Sequence, residues 1–316
     1  MAFTGFQLTG LHARSEELVK ATRDLDRKRV SEAECEQVRR KDAEALVELQ
    51  KKLGAEQVYD GGFRWQDLLR PFAEKSMGLG VGPLTRWFET NSFYKMPLRK
   101  GKLAGAEFIA EYAYADALPA NRKAVLPGPY TFARLAEIGE ESIAQAAELL
   151  LGAAQALERK NFTLIQFSEP SLAYDAGRGK LGADALAESR QAYAKLRRGL
   201  KARILLHTFF GDFAKARGVE DFAVDAIGID FTRTNLEEVK ADFGSKAVGL
   251  GVADAESSLV EEPAEIAAFA QRAAEKLRAK SFFLCPNTGL DYVPRVIADR
   301  KVEALAKAAR ILGGQS

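Results

Sequence analysis

The feature that most constrains this chain is a rhythm in its apolar runs. From Thr163 onward, short stretches of continuous hydrophobic residues alternate with longer helical patterns. TLIQFSEP (163–170), RILLHTF (203–209), DAIGIDFTR (225–233), KAVGLGVAD (246–254) and SFFLCPNTG (281–289) read as strands. Each ends in polar or turn-forming residues. A strand that is apolar on consecutive positions, rather than on alternate ones, is covered on both faces, as in a parallel sheet flanked by helices.

The earlier half fits the rhythm less regularly. FQLTGL (6–11), EQVYDGG (56–62) and KAVLPGP (123–129) supply three further strand candidates. Ser15 to Leu53 reads as helical, with Ser31 and Glu34 spaced as a capping box. Glu140 to Lys160, Leu181 to Leu200, Asn235 to Asp242, Pro263 to Lys280 and Val302 to Leu312 are further expected helices. Residues 63–122 break the pattern as an aromatic-rich excursion, within which EFIAEYAYA (107–115) alternates like a hairpin strand. Eight strand–helix units in 316 residues predict an α/β fold. The expectation is a single (β/α)8 TIM barrel over 1–316, with the excursion over 63–122 as a lid. An open doubly wound sheet is the other arrangement; no glycine-rich phosphate loop follows a strand to support a nucleotide-binding version.

Charge excludes one partner class. Lysine and arginine nearly balance aspartate and glutamate, leaving +2. Nucleic-acid binders show a clustered basic excess instead. No apolar run reaches the ~20 residues of a membrane span, and no basic-then-apolar leader opens the sequence. With only Cys35 and Cys285, no disulfide framework is expected, and a cytoplasmic location follows.

Barrel active sites lie at the C-terminal ends of the strands. The residues there are Arg14, Asp60 with Arg64, Tyr130 with Thr131, Glu169, His207, Asp230, Asp254, and the turn from Cys285 to Asn287. Roughly half of such residues serve as caps and turn formers. Arg64, Glu169, His207 and Asp230 are expected to share one cavity.

TGLHARSEELVKA, YDGGFRWQDL, PGPYTFARL, IQFSEPSL, LLHTFFGDF, AIGIDFTRT, LGVADAESS and CPNTGLDYVPR occur in this order along nearly the whole chain. Together they resemble the strand-end motifs of the cobalamin-independent methionine synthase family, including its shorter single-barrel relatives. The resemblance implies methyl transfer to the thiol of homocysteine, in methionine biosynthesis, as a 5-methyltetrahydropteroyltriglutamate-homocysteine methyltransferase would perform it. The implied methyl donor is methyltetrahydrofolate or a methyl-corrinoid. Glu169, His207 and Asp230 take the catalytic positions; Arg14, Arg64, Trp65, Tyr130, Ser168 and Asn287 take substrate-binding ones.

The family's catalytic barrel holds zinc on a His, a Cys two residues on, a Glu and a final Cys. Here His207 matches, Phe209 replaces the first Cys, Asp230 stands for the Glu, and Thr288 occupies the last position. Cys285 lies three residues earlier. His207, Asp230 and Cys285 are the degenerate remnant, and phenylalanine cannot donate to a metal, so no metal is favoured. Ser168 stands where the family's amino-group-binding Asp would be. GPLTRWFETNSFYKMP (82–97) and HTFFGD are instead similar to the family's N-terminal barrel, whose basic folate-tail positions are here Glu16, Val19 and Lys20. The alternative expectation is therefore a non-catalytic ligand-binding barrel that partners a zinc-bearing barrel of the same family, or a corrinoid protein. A barrel lyase using Arg64 as a carboxylate clamp is a third reading.

Overall fold

Leu164–Ser168, Lys123–Pro127 and Ala226–Asp230 are buried at every position. That fits strands walled by helices outside and by their own ring inside. The computed structural model describes residues 1–138 and 142–314. Strand β1 (Ala2–Phe6) is followed by α1 (Glu16–Asp26), α2 (Glu32–Leu53) and α3 (Arg70–Lys75). Strands β2 (Met77–Arg86) and β3 (Phe93–Ala104) form the excursion. Then come β4 (Lys123–Pro127), α4 (Pro129–Leu135), α5 (Ser142–Arg159), β5 (Leu164–Ser168), α6 (Pro170–Gly177), α7 (Ala183–Gly199) and β6 (Arg203–Thr208). The series ends with β7 (Ala226–Asp230), β8 (Ala247–Ala253), α8 (Pro263–Lys276), β9 (Ser281–Pro286) and α9 (Arg295–Leu312).

Seven strands form one parallel sheet in the order β1-β9-β8-β7-β6-β5-β4. Two single-residue parallel bridges join its edges, Gln7 to Gln57 and Val58 to Arg122. The Val58 amide donates to Asn121 O and the Val58 carbonyl accepts from Lys123 N, both at 2.9 Å. The eighth position of the ring is thus filled by Gln57 and Val58 alone. The expected strand at 56–62 stops there because the buried Gln50 amide takes over: Tyr59 N donates to Gln50 Oε1 at 3.1 Å, and Gln50 Nε2 donates to Tyr59 O at 2.6 Å.

Inside the ring, Leu164, Leu205, Ala226, Phe283 and Cys285 pack together. Ser168, His207, Gly228, Gly249 and Phe283 lie in one register row across five strands. Glycine at 228 leaves room for the His207 ring, into which a Cβ would collide; glycine at 249 does the same for Phe283. Lys123 is fully buried in this interior, its ammonium donating to Gln7 Oε1 at 2.9 Å and to Leu8 O at 2.6 Å.

Several expected elements differ. The first strand is Ala2–Phe6, earlier than 6–11. The helical stretch from Ser15 to Leu53 is two helices, separated where Lys28 turns to φ 56°. The Ser31–Glu34 capping box is present: Glu34 N donates to Ser31 Oγ, and Ser31 N donates to Glu34 Oε2. Residues 107–115 hold a 3-10 helix (Glu107–Tyr112), because Ile109 and Ala110 turn inward together rather than on alternate faces. Asn235 to Asp242 holds only a 3-10 turn at Leu236–Glu238. The expected start of a helix at Glu140 lies outside the described residues; the described part is Ser142–Arg159.

The excursion contains an antiparallel hairpin, β2 on β3, with two register shifts. Asp67 ties it down: one carboxylate oxygen accepts from Leu69 N and Arg70 N at the start of α3, the other from Lys95 N at 3.0 Å. Tyr94 donates its hydroxyl to Leu135 O at 2.8 Å. At the hairpin tip, Glu89 accepts from Arg178 (2.6 Å) and from the Tyr174 hydroxyl (3.1 Å), both on or beside α6. Phe88 and Phe210 touch here, ring centroids 5.5 Å apart, and both have left-handed backbones at φ 50° and 60°. Such conformations cost a side-chain-bearing residue energy that the surrounding packing must hold.

Candidate active site

The hairpin covers the end of the barrel at which β5, β6 and β9 finish. Beneath it lies a cavity of about 240 Å³. Its roof is Trp87, Phe93 and Tyr94 from the hairpin; its floor is Ser168, Phe209 and Thr288 from the strand ends; Tyr292 and Asp291 close one side. A groove of about 340 Å³ adjoins it, sharing Leu11, Gln66 and Asp291, and is walled by Arg14 and Trp65.

Among the described residues, Asp67 and Asp291 are the charged members of the cavity lining, and no lysine, arginine or histidine joins them. The Asp67 carboxylate is already held by the three amides that anchor the hairpin. Asp291 has neither an ion pair nor a side-chain partner among the described residues. Its side chain is exposed at the mouth of the cavity, and the protein packed around it pushes its carboxyl up to about 6 by desolvation, opposed by its own amide and by Arg14. Arg14 donates to Trp65 O at 2.6 Å and lines the groove. Trp65 packs edge-on against Phe72 and Tyr112.

The four side chains expected to share a cavity do not. Glu169 is fully buried, accepting from Tyr130 N (3.0 Å), Thr131 N (2.8 Å) and the Tyr193 hydroxyl (3.2 Å). It holds the N-terminus of α4, where peptide dipoles favour an anion. Burial nevertheless raises its carboxyl to about 7. Asp230 accepts from Phe210 N, Thr232 N and the Thr232 hydroxyl, so it stabilises its own loop. Arg64 lies outside the mouth, paired to Glu36 and stacked 4.0 Å over the Tyr114 ring. Its neighbour Asp60 likewise caps backbone amides, Gly62 N and Tyr114 N.

His207 is buried beneath the cavity floor. Its Nε2 is 2.8 Å from Asn287 O and must donate there, which leaves Nδ1 as an acceptor with no partner. Burial lowers its pKa to about 3, with Lys123 adding to the effect. The ring is neutral at neutral pH and shielded from the cavity. Of the expected substrate contacts, Ser168 lines the cavity, and Arg14 and Trp65 line the groove. Tyr130 instead donates to buried Asp175 at 2.9 Å. Asn287 braces its turn through Ala255 N, Thr288 N and Thr232. Asp291, Thr288, Phe209 as a lining ring, and Trp87 with Tyr94 complete the site; sequence reasoning had placed the two last only in a general lid.

The zinc implied by the family resemblance does not fit these residues. His207 spends one nitrogen on Asn287 O and turns the other against Gly228. Asp230 is saturated by its loop. Cys285 lies in the closed interior, its thiol pushed up to about 12 by burial, where a metal ligand must be a thiolate. Among the described residues, no three His, Cys, Asp or Glu side chains gather closely enough to hold a metal.

With the site in place, comparison with known proteins is informative. Residues 79–294 match the family described as "Cobalamin-independent synthase, N-terminal domain". A 5-methyltetrahydropteroyltriglutamate–homocysteine methyltransferase of Halalkalibacterium halodurans is 28% identical over 92% of this chain. The chain spans only 41% of that relative's length. A methionine synthase of Sulfurisphaera tokodaii is 22% identical, covering 82% of this chain and 78% of the relative. Among solved structures, a B12-independent methionine synthase from Shewanella in complex with selenomethionine superposes with TM-score 0.72 at 19% identity, over 91% of each chain. One from Listeria monocytogenes, described as a putative vitamin-B12-independent methionine synthase, reaches 0.76 at 16% identity over 99% and 98% of the two chains. These likenesses support a TIM-barrel architecture, and no described helix is long and apolar enough to cross a membrane. A match covering two thirds of its length, centred on the strand ends that build this mouth, makes the chain a member of the cobalamin-independent methionine synthase family.

Proposed function

We propose that this chain, acting as one barrel unit with a lid, transfers a methyl group to the thiol of homocysteine at the barrel mouth. One observation carries the reading: the unpaired Asp291 carboxylate stands at the junction of the Arg14 groove and the aromatic cavity. The groove suits the amino acid, whose carboxylate Arg14 can bind through a charge-assisted pair. Its thiol then reaches the junction, and the methyl donor occupies the cavity.

A thiol must lose its proton to become nucleophilic. Neutral, buried His207 does not reach it, and Glu169 and Asp230 are held by backbone amides. Asp291 is the free carboxylate in place, and its raised pKa makes it a better proton acceptor than an ordinary aspartate. Ser168 and Thr288 can hydrogen-bond the developing thiolate. Two buried, unbonded cysteines fit a reducing, cytoplasmic compartment.

Methionine formation from homocysteine, read by mass spectrometry, tests this with Asp291→Asn and Arg14→Met. The asparagine variant should lose at least tenfold in kcat, and the methionine variant should raise KM. Homocysteine binding that survives in neither the parent nor any variant would refute the reading. A second reading is favoured by the description of the matched family as an N-terminal domain: a ligand-binding barrel that works beside a zinc-bearing one. Methionine formed only when such a second chain is added would select it.

A further inference from the structure

Solvent-facing apolar side chains are unevenly placed on this molecule. Among the described residues, seven large apolar side chains are exposed. Five of the seven, Met77, Val81, Leu84, Phe93 and Leu259, lie on two segments: the β2–β3 hairpin and the loop from β8 to α8. On the outer half of the hairpin, Leu84 pairs with Lys95 and Arg86 with Phe93, so these four share one face; Thr85 and the buried Tyr94 take the other. In the β8–α8 loop, Leu259 is 79% exposed, the most of the seven. A single exposed leucine is ordinary, but apolar side chains gathered within a polar rim mark an interaction site.

The two segments carry opposite charge. Between Met77 and Ala104, Arg86, Lys95, Arg99, Lys100 and Lys102 stand against Glu89 alone. From Asp254 to Glu265, the charged residues are Asp254, Glu256, Glu261, Glu262 and Glu265, with no lysine or arginine among them. Arg233 and Lys301 pair with Glu256 and Glu261, while Glu262 and Glu265 are exposed at the start of α8. Both segments rim the same end of the barrel. Asp254 directly follows β8. At the hairpin tip, the Glu89 carboxyl is held low by Arg178 and Tyr174 and, from further off, by Arg233, the partner of Glu256. A nucleic acid would meet the hairpin's cations but be repelled by the acidic loop beside them. Two neighbouring patches of opposite sign, each with an apolar centre, instead complement a second copy of the same surface.

We propose that two copies of this chain pair about a two-fold axis, the basic hairpin of each lying on the acidic β8–α8 loop of the other, so that Leu84 on one copy meets Leu259 on the second. Patch and complement lie at one end of the barrel, so a two-fold rotation forms the contact twice and closes the assembly. Complements at opposite ends would build open chains instead. Opposite charge steers the approach and sets the orientation, and the exposed apolar side chains leave water on contact. In the pair, the hairpin that roofs one copy's cavity is braced by the loop of the other. The pairing goes beyond methyl transfer and does not depend on it.

Sedimentation equilibrium of the intact chain tests the pairing. At about 100 µM protein and low salt the unsubstituted chain should show the mass of a dimer, with a micromolar Kd. Raising the salt from roughly 50 mM to 500 mM should weaken the pair about fivefold or more. Leu259→Ser should weaken it about tenfold. Two charge-reversed variants then fix the surfaces: Lys95→Glu with Lys100→Glu in the hairpin, and Glu262→Lys with Glu265→Lys in the loop. Either variant alone sets like charges against each other in both contacts and should sediment as a monomer. An equimolar mixture of the two should restore the dimer, because an acidic hairpin then meets a basic loop in one contact and a basic hairpin an acidic loop in the other. Recovery on mixing also shows that both variants are folded. A monomer mass for the unsubstituted chain overturns the proposal, even where the hairpin captures a zinc-bearing barrel of the same family. A dimer that survives either charge reversal, or one that mixing fails to restore, overturns these surfaces. The measurement contains no substrate, so its failure leaves the proposed methyl transfer standing, and failed homocysteine binding leaves the dimer standing.

Discussion

Lys123 offers a quantitative test of how dry the barrel interior is. Its ammonium is fully buried with two neutral acceptors and no acidic ion-pair partner among the described residues. Burial lowers its pKa from 10.5 to about 7, with only small support for the charge from Cys285 and Glu56. In the unfolded chain the same lysine keeps its ordinary affinity for a proton. Between pH 7 and 10.5 the unfolded state therefore binds more protons than the folded one, and stability must rise with pH across that window. Converted at ~1.4 kcal/mol per pKa unit, the lysine costs the fold about 4 kcal/mol at pH 7 and about 2 kcal/mol at pH 9. Lys123→Met removes this cost but strands Gln7 Oε1 and Leu8 O, at about 1–3 kcal/mol each. At pH 7 the variant should therefore lie within about 2 kcal/mol of the parent on either side. The cleaner quantity is the pH dependence, because the stranded acceptors do not titrate. Urea unfolding of both proteins at pH 7 and pH 9 should show the difference between them moving by about 2 kcal/mol in the parent's favour as pH rises. A difference that stays constant would mean that Lys123 keeps its proton throughout, and that water reaches the interior.

Two further perturbations probe the residues beneath the mouth. Gly228→Ala places a methyl group into the His207 ring within a close-packed strand row, and should lower stability by about 3 kcal/mol in denaturant titration; an unchanged midpoint would show that the ring is free to move. Glu169→Gln turns one of the acceptors for Tyr130 N and Thr131 N into a donor, and should cost about 2 kcal/mol of stability while leaving homocysteine affinity within twofold. Lost turnover in a variant of full stability would restore Glu169 to the chemistry.

The strands from β4 to β9 were legible because each is buried on both faces, and that burial writes itself as an uninterrupted apolar run. The β2–β3 hairpin was not. It is a ribbon with much of one face in solvent, as Val81, Leu84 and Phe93 show, and its glycines and prolines read as loop. Residues 107–115 misled for a different reason: nine residues are too few to separate a two-residue period from a tight helix. At the site, position along the chain found the barrel mouth but not the roles within it. A carboxylate at a strand end has the same letter whether it caps a neighbouring amide, as Glu169 and Asp230 do, or faces a cavity, as Asp291 does. Only the path of the following loop decides between them. Asp291 stands directly after the PNTGL motif, and that adjacency was the available signal.

Gln57 and Val58 complete the circle with one bridge on either side, where every other junction carries a ladder of paired residues. The ring therefore has a seam, and the chain leaving it runs directly into the lid. Amide exchange with deuterium should be fastest at this seam among the barrel strands, and opening there would slacken the hairpin's root while leaving the β5–β9 side closed. Access to the mouth is in that sense built into how the circle shuts, and a longer second strand would trade turnover for rigidity.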